Sequence, residues 1–227
     1  MGNKELKNEY SRSRDLSERF NAFWNTFFND TEDYFHMFQD KDFVNLKKAT
    51  HNIDNIITLQ VTKQFVKCLL KRELITSTQK ERMEKEIEKQ HPNANGYDIE
   101  YPLDADNCLD EVKIIAEVKC NLVPEGKKYF DPAGQTLGIT NDLKNLAERK
   151  RKSKIREEIF KESYKFMVLL DGDNISKSIL KIINIVDRNK DNKYATIKGK
   201  LVNGWPLNIS DISNEKIYIV AVPLNKV

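Results

Sequence analysis

Two hydrophobic periods divide the chain. Up to about residue 90 the apolar residues recur at helical spacing. Leu16, Phe20, Phe23, Trp24 and Phe27 form an aromatic stripe, the expected packed face of a first helix. Ile53, Ile56, Ile57, Phe65, Val66, Leu69 and Leu70 mark a second. The segment TSTQKERMEKEIEKQ predicts a third, highly charged helix, with Thr78 and Glu81 spaced as a capping box. HPNANG then breaks the pattern.

From Gly96 the period falls to two. In YDIEYPLD, residues 97–104, Tyr97, Ile99, Tyr101 and Leu103 alternate with Asp98, Glu100, Pro102 and Asp104. In residues 111–120, Val112, Ile114, Ala116, Val118 and Cys120 alternate with Glu111, Lys113, Ile115, Glu117 and Lys119. Each run predicts a strand with one apolar and one mostly polar face. ADNC, residues 105–108, is the turn-rich segment between them. After FDPAG a helix is expected, with Asp131 as N-cap and Pro132 in its first turn. Its packed face is expected to carry Ala133, Leu137, Thr140, Leu143 and Ala147. YKFMVLL, 164–170, predicts a buried strand ended by DGDN, and KIYIVAVPL, 216–224, a late strand. ISKSILKIINIV fits either a helix or a strand. The order implies an α/β (α+β) chain, a mixed β-sheet flanked by helices. It is expected to be one domain, 1–227, with a helical N-terminal region at 1–92, a core of hairpin, helix and strand at 96–170, and a C-terminal part at 171–227.

The alternation specifies the hairpin register up to steps of two. A turn near residues 107 and 108 pairs positions whose numbers sum to about 215, which sets Asp98 opposite Glu117 and Glu100 opposite Ile115. A slip of one residue would set the polar face of one strand beside the apolar face of the other. Directly opposed side chains have Cβ atoms about 4.5–5.5 Å apart, so two opposed carboxylates repel unless a positive charge lies between them. A hard divalent cation such as Mg²⁺ is one such charge. Lys119 projects from the same face, where it is placed to hold a water. The tripeptide Glu-Val-Lys also occurs at 111–113, but that copy lies next to the turn and faces only Asp104, so it is expected to be an exposed strand start.

Composition narrows the setting. The chain has 227 residues, 32% charged and 39% hydrophobic, and no run approaches the roughly 20 apolar residues of a membrane span. The first twenty residues lack an apolar signal core, so no secretion and no membrane are expected. Cys68, Cys108 and Cys120 are widely spaced, which suits a reducing compartment and forms no zinc pattern. His36, His51 and His91 make no ligand pair. The net charge of +3 is uninformative, but six cations fall within 149–156: Arg149, Lys150, Arg151, Lys152, Lys154 and Arg156. That run suits either a helix C-terminus or a phosphate-binding patch.

Asp98, followed after eighteen residues by Glu117-x-Lys119, resembles the motif of the PD-(D/E)xK nuclease superfamily, and more narrowly of its type II restriction endonucleases. IAEVKCNLVPEG is similar to a strand of those enzymes, and Gln135 lies on a following helix as a glutamine does in many of them. The likeness covers about residues 96–145. No Pro precedes Asp98; Pro102-x-Asp104 is a nearer Pro-x-Asp, which the register disfavours, with Asp104 and Asp106 as alternates.

The resemblance implies a restriction-endonuclease-like core and Mg²⁺-dependent cleavage of double-stranded DNA. Asp98, Glu117 and Lys119 would be catalytic, with metal held by Asp98, Glu117 and the Val118 carbonyl, and with Glu100 and Gln135 as accessory residues. It further implies a homodimer in a bacterial cytoplasm, acting on a palindromic, A/T-rich site within a restriction–modification pair. Phosphates would meet Arg149, Lys150, Arg151, Lys152, Arg12, Arg14 and Arg19. Base readout would use the loops RNKDNKYATIKGK and NGWPLN. The alternatives are a repair nuclease or resolvase of the same fold, and a non-catalytic DNA-binding protein.

Overall fold

The computed structural model describes residues 12–29, 31, 40–89, 96–102, 112–124, 126–131, 134–153, 155–189 and 192–224. They belong to two compact units, Met1–Ile53 and Asp54–Val227. In the first unit, α1 (Arg12–Phe28) carries the aromatic stripe, with the Phe20 and Trp24 rings 6.1 Å apart. Asn29, with φ 57°, follows it in the left-handed conformation that Asn tolerates. Helix α2 (Asp40–Lys71) runs through the boundary between the units.

The second unit is built on a five-stranded mixed sheet of order β1-β2-β3-β5-β4. The strands are β1 (Ile99–Tyr101), β2 (Ile114–Lys119), β3 (Tyr164–Leu170), β4 (Leu201–Asn203) and β5 (Ile217–Val222). Only the β1–β2 pair is antiparallel; β3 pairs in parallel with β2 and β5, and β4 with β5. The expected register holds: Ile99 pairs with Ala116, Glu100 with Ile115 and Tyr101 with Ile114. The turn segment 105–108, Asp104, Asp106 and Glu111 lie outside the described residues.

Both faces of the sheet are covered. Ile99, Tyr101, Ile114, Ala116, Val118, Phe166, Val168, Tyr218 and Val220 share one apolar cluster with Val61, Phe65, Val66 and Leu69 of α2 and with Met83 and Ile87 of α3 (Ser77–Lys89). Ile115, Met167, Leu169, Ile217 and Ile219 share the other with α4 (Gln135–Glu148), α5 (Glu157–Glu162) and α6 (Ile175–Arg188). Central strands buried on both sides read as continuous apolar runs, which is why YKFMVLL shows no alternation. The ambiguous segment ISKSILKIINIV is helical, burying Ile175, Ile179, Ile182 and Val186 against the sheet.

Several local expectations shift by a turn or less. The box that starts α3 is Thr76 with Gln79, not Thr78 with Glu81: Gln79 N donates to Thr76 Oγ1 at 3.2 Å and Thr76 N to Gln79 Oε1 at 2.8 Å. The end of α2 explains this. Leu74 N donates to Leu69 O at 3.0 Å and Glu73 N to Leu70 O at 2.9 Å, with Glu73 at φ 58°, so the chain reverses early and Thr76 is the first residue free to cap. Helix α4 begins at Gln135 rather than beside Asp131, and it buries Thr136, Ile139, Thr140, Leu143 and Leu146 while Leu137 is exposed. Tyr97 leaves the apolar face of Ile99 and Tyr101 and packs in the other cluster, because residue 98 is a bend and the ladder starts only at Ile99.

Candidate active site

The polar side of the hairpin is not solvated; α4 lies over it. Glu117 is 3% exposed, at the C-terminal half of a strand whose other residues are almost all apolar. The ladder ends at the Ile99–Ala116 pair, and Asp98, at the bend just before it, reaches β2 with its side chain. Asp98 Oδ2 accepts the Val118 N–H at 2.7 Å, so the side chain continues the hairpin where its backbone has bent away. In an extended strand the N–H and C=O of one residue point to the same side. The Val118 carbonyl therefore also faces the β1 side of β2.

Two lysines close the site. Lys119 Nζ lies 2.9 Å from Asp142 Oδ2, from α4. Lys150, just past α4, forms an ion pair with Glu117 Oε1 and donates to Gly96 O at 2.9 Å. Its Nζ sits 4.9 Å from the centre of the Tyr97 ring, and its backbone N–H donates to the Tyr97 hydroxyl at 2.9 Å. Glu117 Oε1 is buried and makes no hydrogen bond of ordinary geometry, although the Lys150 ammonium lies against it. Five charged groups thus meet between β2 and α4: three carboxylates and two ammoniums.

Their titration reflects that crowding. Burial, then the charge of Asp98, pushes Glu117 up to about 7, with Lys150 only partly offsetting them. Burial also raises Asp98, against the pull of the Val118 N–H, Lys119 and Lys150. For Lys119, burial disfavours the charge, but Asp142, Glu117 and Asp98 outweigh it, so its pKa lies above the ordinary value. Two carboxylates that resist ionisation side by side, with a lysine that stays charged, form a site short of positive charge.

The other predicted residues divide. Glu100 is buried, but its Oε1 accepts from Tyr97 N at 3.1 Å and Ser153 Oγ at 2.8 Å, a structural engagement rather than an open ligand position. Gln135 does not touch Lys119: its Nε2 donates to Leu122 O at 2.7 Å and its Oε1 accepts from Asp131 N at 2.9 Å, tying the exit of β2 to the start of α4. Arg149 turns inward, donating to Ile155 O at 2.6 and 3.0 Å and to Ser153 O at 3.3 Å, so it clasps its own loop. Lys150 belongs to the acidic site. Arg151 and Lys152 are exposed, as the phosphate-binding expectation requires. Arg14 is exposed and lies 3.9 Å from Glu18, while the side chain of Arg12 lies outside the described residues. In the expected readout loops Trp205 is packed instead, stacked on Phe65 with ring centres 5.4 Å apart and with Arg72 4.7 Å above it. Of the first Glu-Val-Lys copy, Glu111 lies outside the described residues, and Lys113, half-buried just before β2, makes an ion pair with Glu162.

Asp142 was not foreseen. The signal was present, because it lies three residues after Ile139 and four before Leu146, a charged residue on the buried stripe of α4. Among the described residues no three His, Cys, Asp or Glu side chains are grouped to share a metal ion. Mg²⁺ needs fewer, since it keeps several waters and takes one or two carboxylates. Asp98, Glu117 and the adjoining Val118 carbonyl could supply a hard oxygen set of that kind if Lys150 gave up its place against Glu117 Oε1. No family model, curated protein or solved structure matches this chain. Among the described residues no helix is long and apolar enough to cross a membrane.

Proposed function

We propose that this chain is a Mg²⁺-dependent endonuclease that hydrolyses phosphodiester bonds in double-stranded DNA, a type II restriction endonuclease of the PD-(D/E)xK kind. The observation that carries the reading is the closeness of two buried carboxylates beside Lys119: Asp98 accepts the Val118 N–H, and its charge raises the pKa of Glu117. Asp98, Glu117 and the Val118 carbonyl would hold the metal. When bound, Mg²⁺ supplies charge stabilisation at the phosphoryl group and a more acidic water. The chain's own residues do the rest. Lys119, kept protonated by Asp142, donates to the attacking water or to the developing negative charge. Asp142 fixes where that ammonium points. Helix α4 and the Tyr97 ring exclude bulk water from one side, which strengthens each of these interactions. Arg151 and Lys152 are exposed beyond α4 to meet the DNA backbone. Action as a homodimer on a palindromic, A/T-rich site in a bacterial cytoplasm belongs to the same proposal.

One observation favours a second reading. Both lysines already have carboxylate partners, so the five groups form a closed ion network of the kind a non-catalytic DNA-binding protein could keep for structure alone. Digestion of plasmid and mixed genomic DNA with Mg²⁺ separates the readings. Discrete fragments from wild type, lost in Lys119→Ala and Asp98→Asn, support the restriction nuclease. Nicking at branched or damaged structures supports a repair nuclease or resolvase. Equal cutting by Lys119→Ala sinks the site assignment, and no cutting by wild type favours the binding protein.

A further inference from the structure

Lys165 is the one lysine fully buried among the described residues, at 6% exposure. It stands near the start of β3, on the sheet face covered by α4 and α5. Its Nζ donates to Asn214 O at 2.7 Å and Ser163 O at 3.2 Å and lies 4.9 Å from the centre of the Phe160 ring. Carbonyls and a ring face orient an ammonium but supply no counter-charge. Lys113, Lys119 and Lys150 each have a carboxylate partner, and Lys165 forms no ion pair among the described residues. Buried charges are ordinarily paired, so this one departs from the rule.

The surroundings add to the imbalance. Lys165 lines a cavity of about 350 Å³ with Lys200, Lys216, Asn214, Glu215 and Ala147. Lys216 Nζ donates to Gly199 O at 2.8 Å and keeps two further donors. Glu215, exposed on the rim, pairs with none of the three lysines. Burial, then Lys200, pushes the Lys165 amine down to about 8, the behaviour of a cation lacking its anion. Each ammonium has three N–H donors, and the two carbonyls use two of those on Lys165, which leaves one without a carbonyl partner.

We propose that the cavity walled by Lys165, Lys200 and Lys216 is a binding site for a phosphoryl oxyanion, either a free phosphate or one carried on a nucleic-acid backbone. It is separate from the Asp98–Glu117 pair and does not depend on the nuclease reading. Ala147 joins it to the last turn of α4.

The test is calorimetric titration of the full chain with inorganic phosphate in EDTA. Wild type is expected to bind at a single site with Kd near or below about 1 mM, and Lys200→Ala and Lys216→Ala are each expected to weaken binding by about fivefold. Lys165→Met is expected to abolish it; should that variant not fold, the other two still decide. The exposed pair Lys127→Ala/Lys128→Ala is the control and is expected to bind as wild type does. Displacement of phosphate by a short DNA duplex assigns the site to a nucleic-acid backbone, and retention assigns it to a free phosphate. Absence of saturable binding, or binding unchanged in Lys200→Ala/Lys216→Ala, overturns the proposal.

Discussion

Glu117→Gln isolates the cost of burying this carboxylate. The amide has nearly the size of the acid and stands for its protonated form. Burial and the neighbouring Asp98 raise Glu117 from the ordinary 4.5 to about 7. At about 1.4 kcal/mol per pH unit, that rise corresponds to about 3 kcal/mol. A raised folded-state pKa means that the folded protein holds the proton more tightly than the unfolded chain. The stabilising contribution is therefore complete below about pH 4.5 and is lost as pH climbs through about 7. Wild type carries this penalty at about pH 8, and the Gln variant does not. Urea unfolding of both proteins in EDTA, across that range, should show near-equal stability at the acid end. At the alkaline end the variant should be more stable by about 3 kcal/mol. Stability curves that stay parallel, or a variant that is weaker at about pH 8, would show that the Lys150 pair outweighs desolvation, and the reasoning would fail. With EDTA left out, Mn²⁺ should stabilise wild type more than the variant, which keeps Asp98 but has lost one of the two carboxylates.

Asp142→Asn removes the nearest partner of Lys119 and should lower the lysine pKa, because burial then acts with less opposition. In a cleavage assay the alkaline limb of the pH–rate profile should move to lower pH, with a rate loss of about tenfold; an unmoved limb refutes the positioning role. Phe166 is fully buried, with its ring 5.2 Å from Phe65, so Phe166→Ala should cost about 3–5 kcal/mol in urea unfolding. Thr76→Ala removes the α3 cap and should cost about 1 kcal/mol, whereas Thr78→Ala should be nearly silent; the reverse order would contradict the cap assignment. At Gly96 an added Cβ would lie 2.8 Å from Glu100 Oε1, a carboxylate held by Tyr97 N and Ser153. Gly96→Ala should therefore destabilise by about 1–3 kcal/mol, and a silent substitution would show that Glu100 is free to move.

The nearness of Asp98 to Glu117 was legible because a strand has a period of two, although the ladder itself stops at Ile99. Once a turn sits near residue 107, alternation alone sets Glu100 against Ile115, and that pairing is observed. The strands at 164–170 and 217–222 were legible from continuous apolar runs. The helical nature of 175–188 was not, because a short apolar run fits either state until it is known what covers it.

What the sequence determined, then, is whatever depends on near neighbours and on periodicity: strand faces, hairpin register and the change from helices to strands. Tertiary structure alone decided what covers the polar face of the hairpin. Helix α4 lies there, so Glu117 is buried rather than solvated, and Asp142 and Lys150, 25 and 33 residues away in the chain, become its neighbourhood. It also ties Arg149, expected at a DNA phosphate, and Gln135, expected as an accessory residue, to backbone carbonyls, and leaves Lys165 buried without an ion pair among the described residues. Charge and hydrogen-bond partners act through space over a few ångströms. Which distant residues come within that range is set by packing, and no local period encodes it.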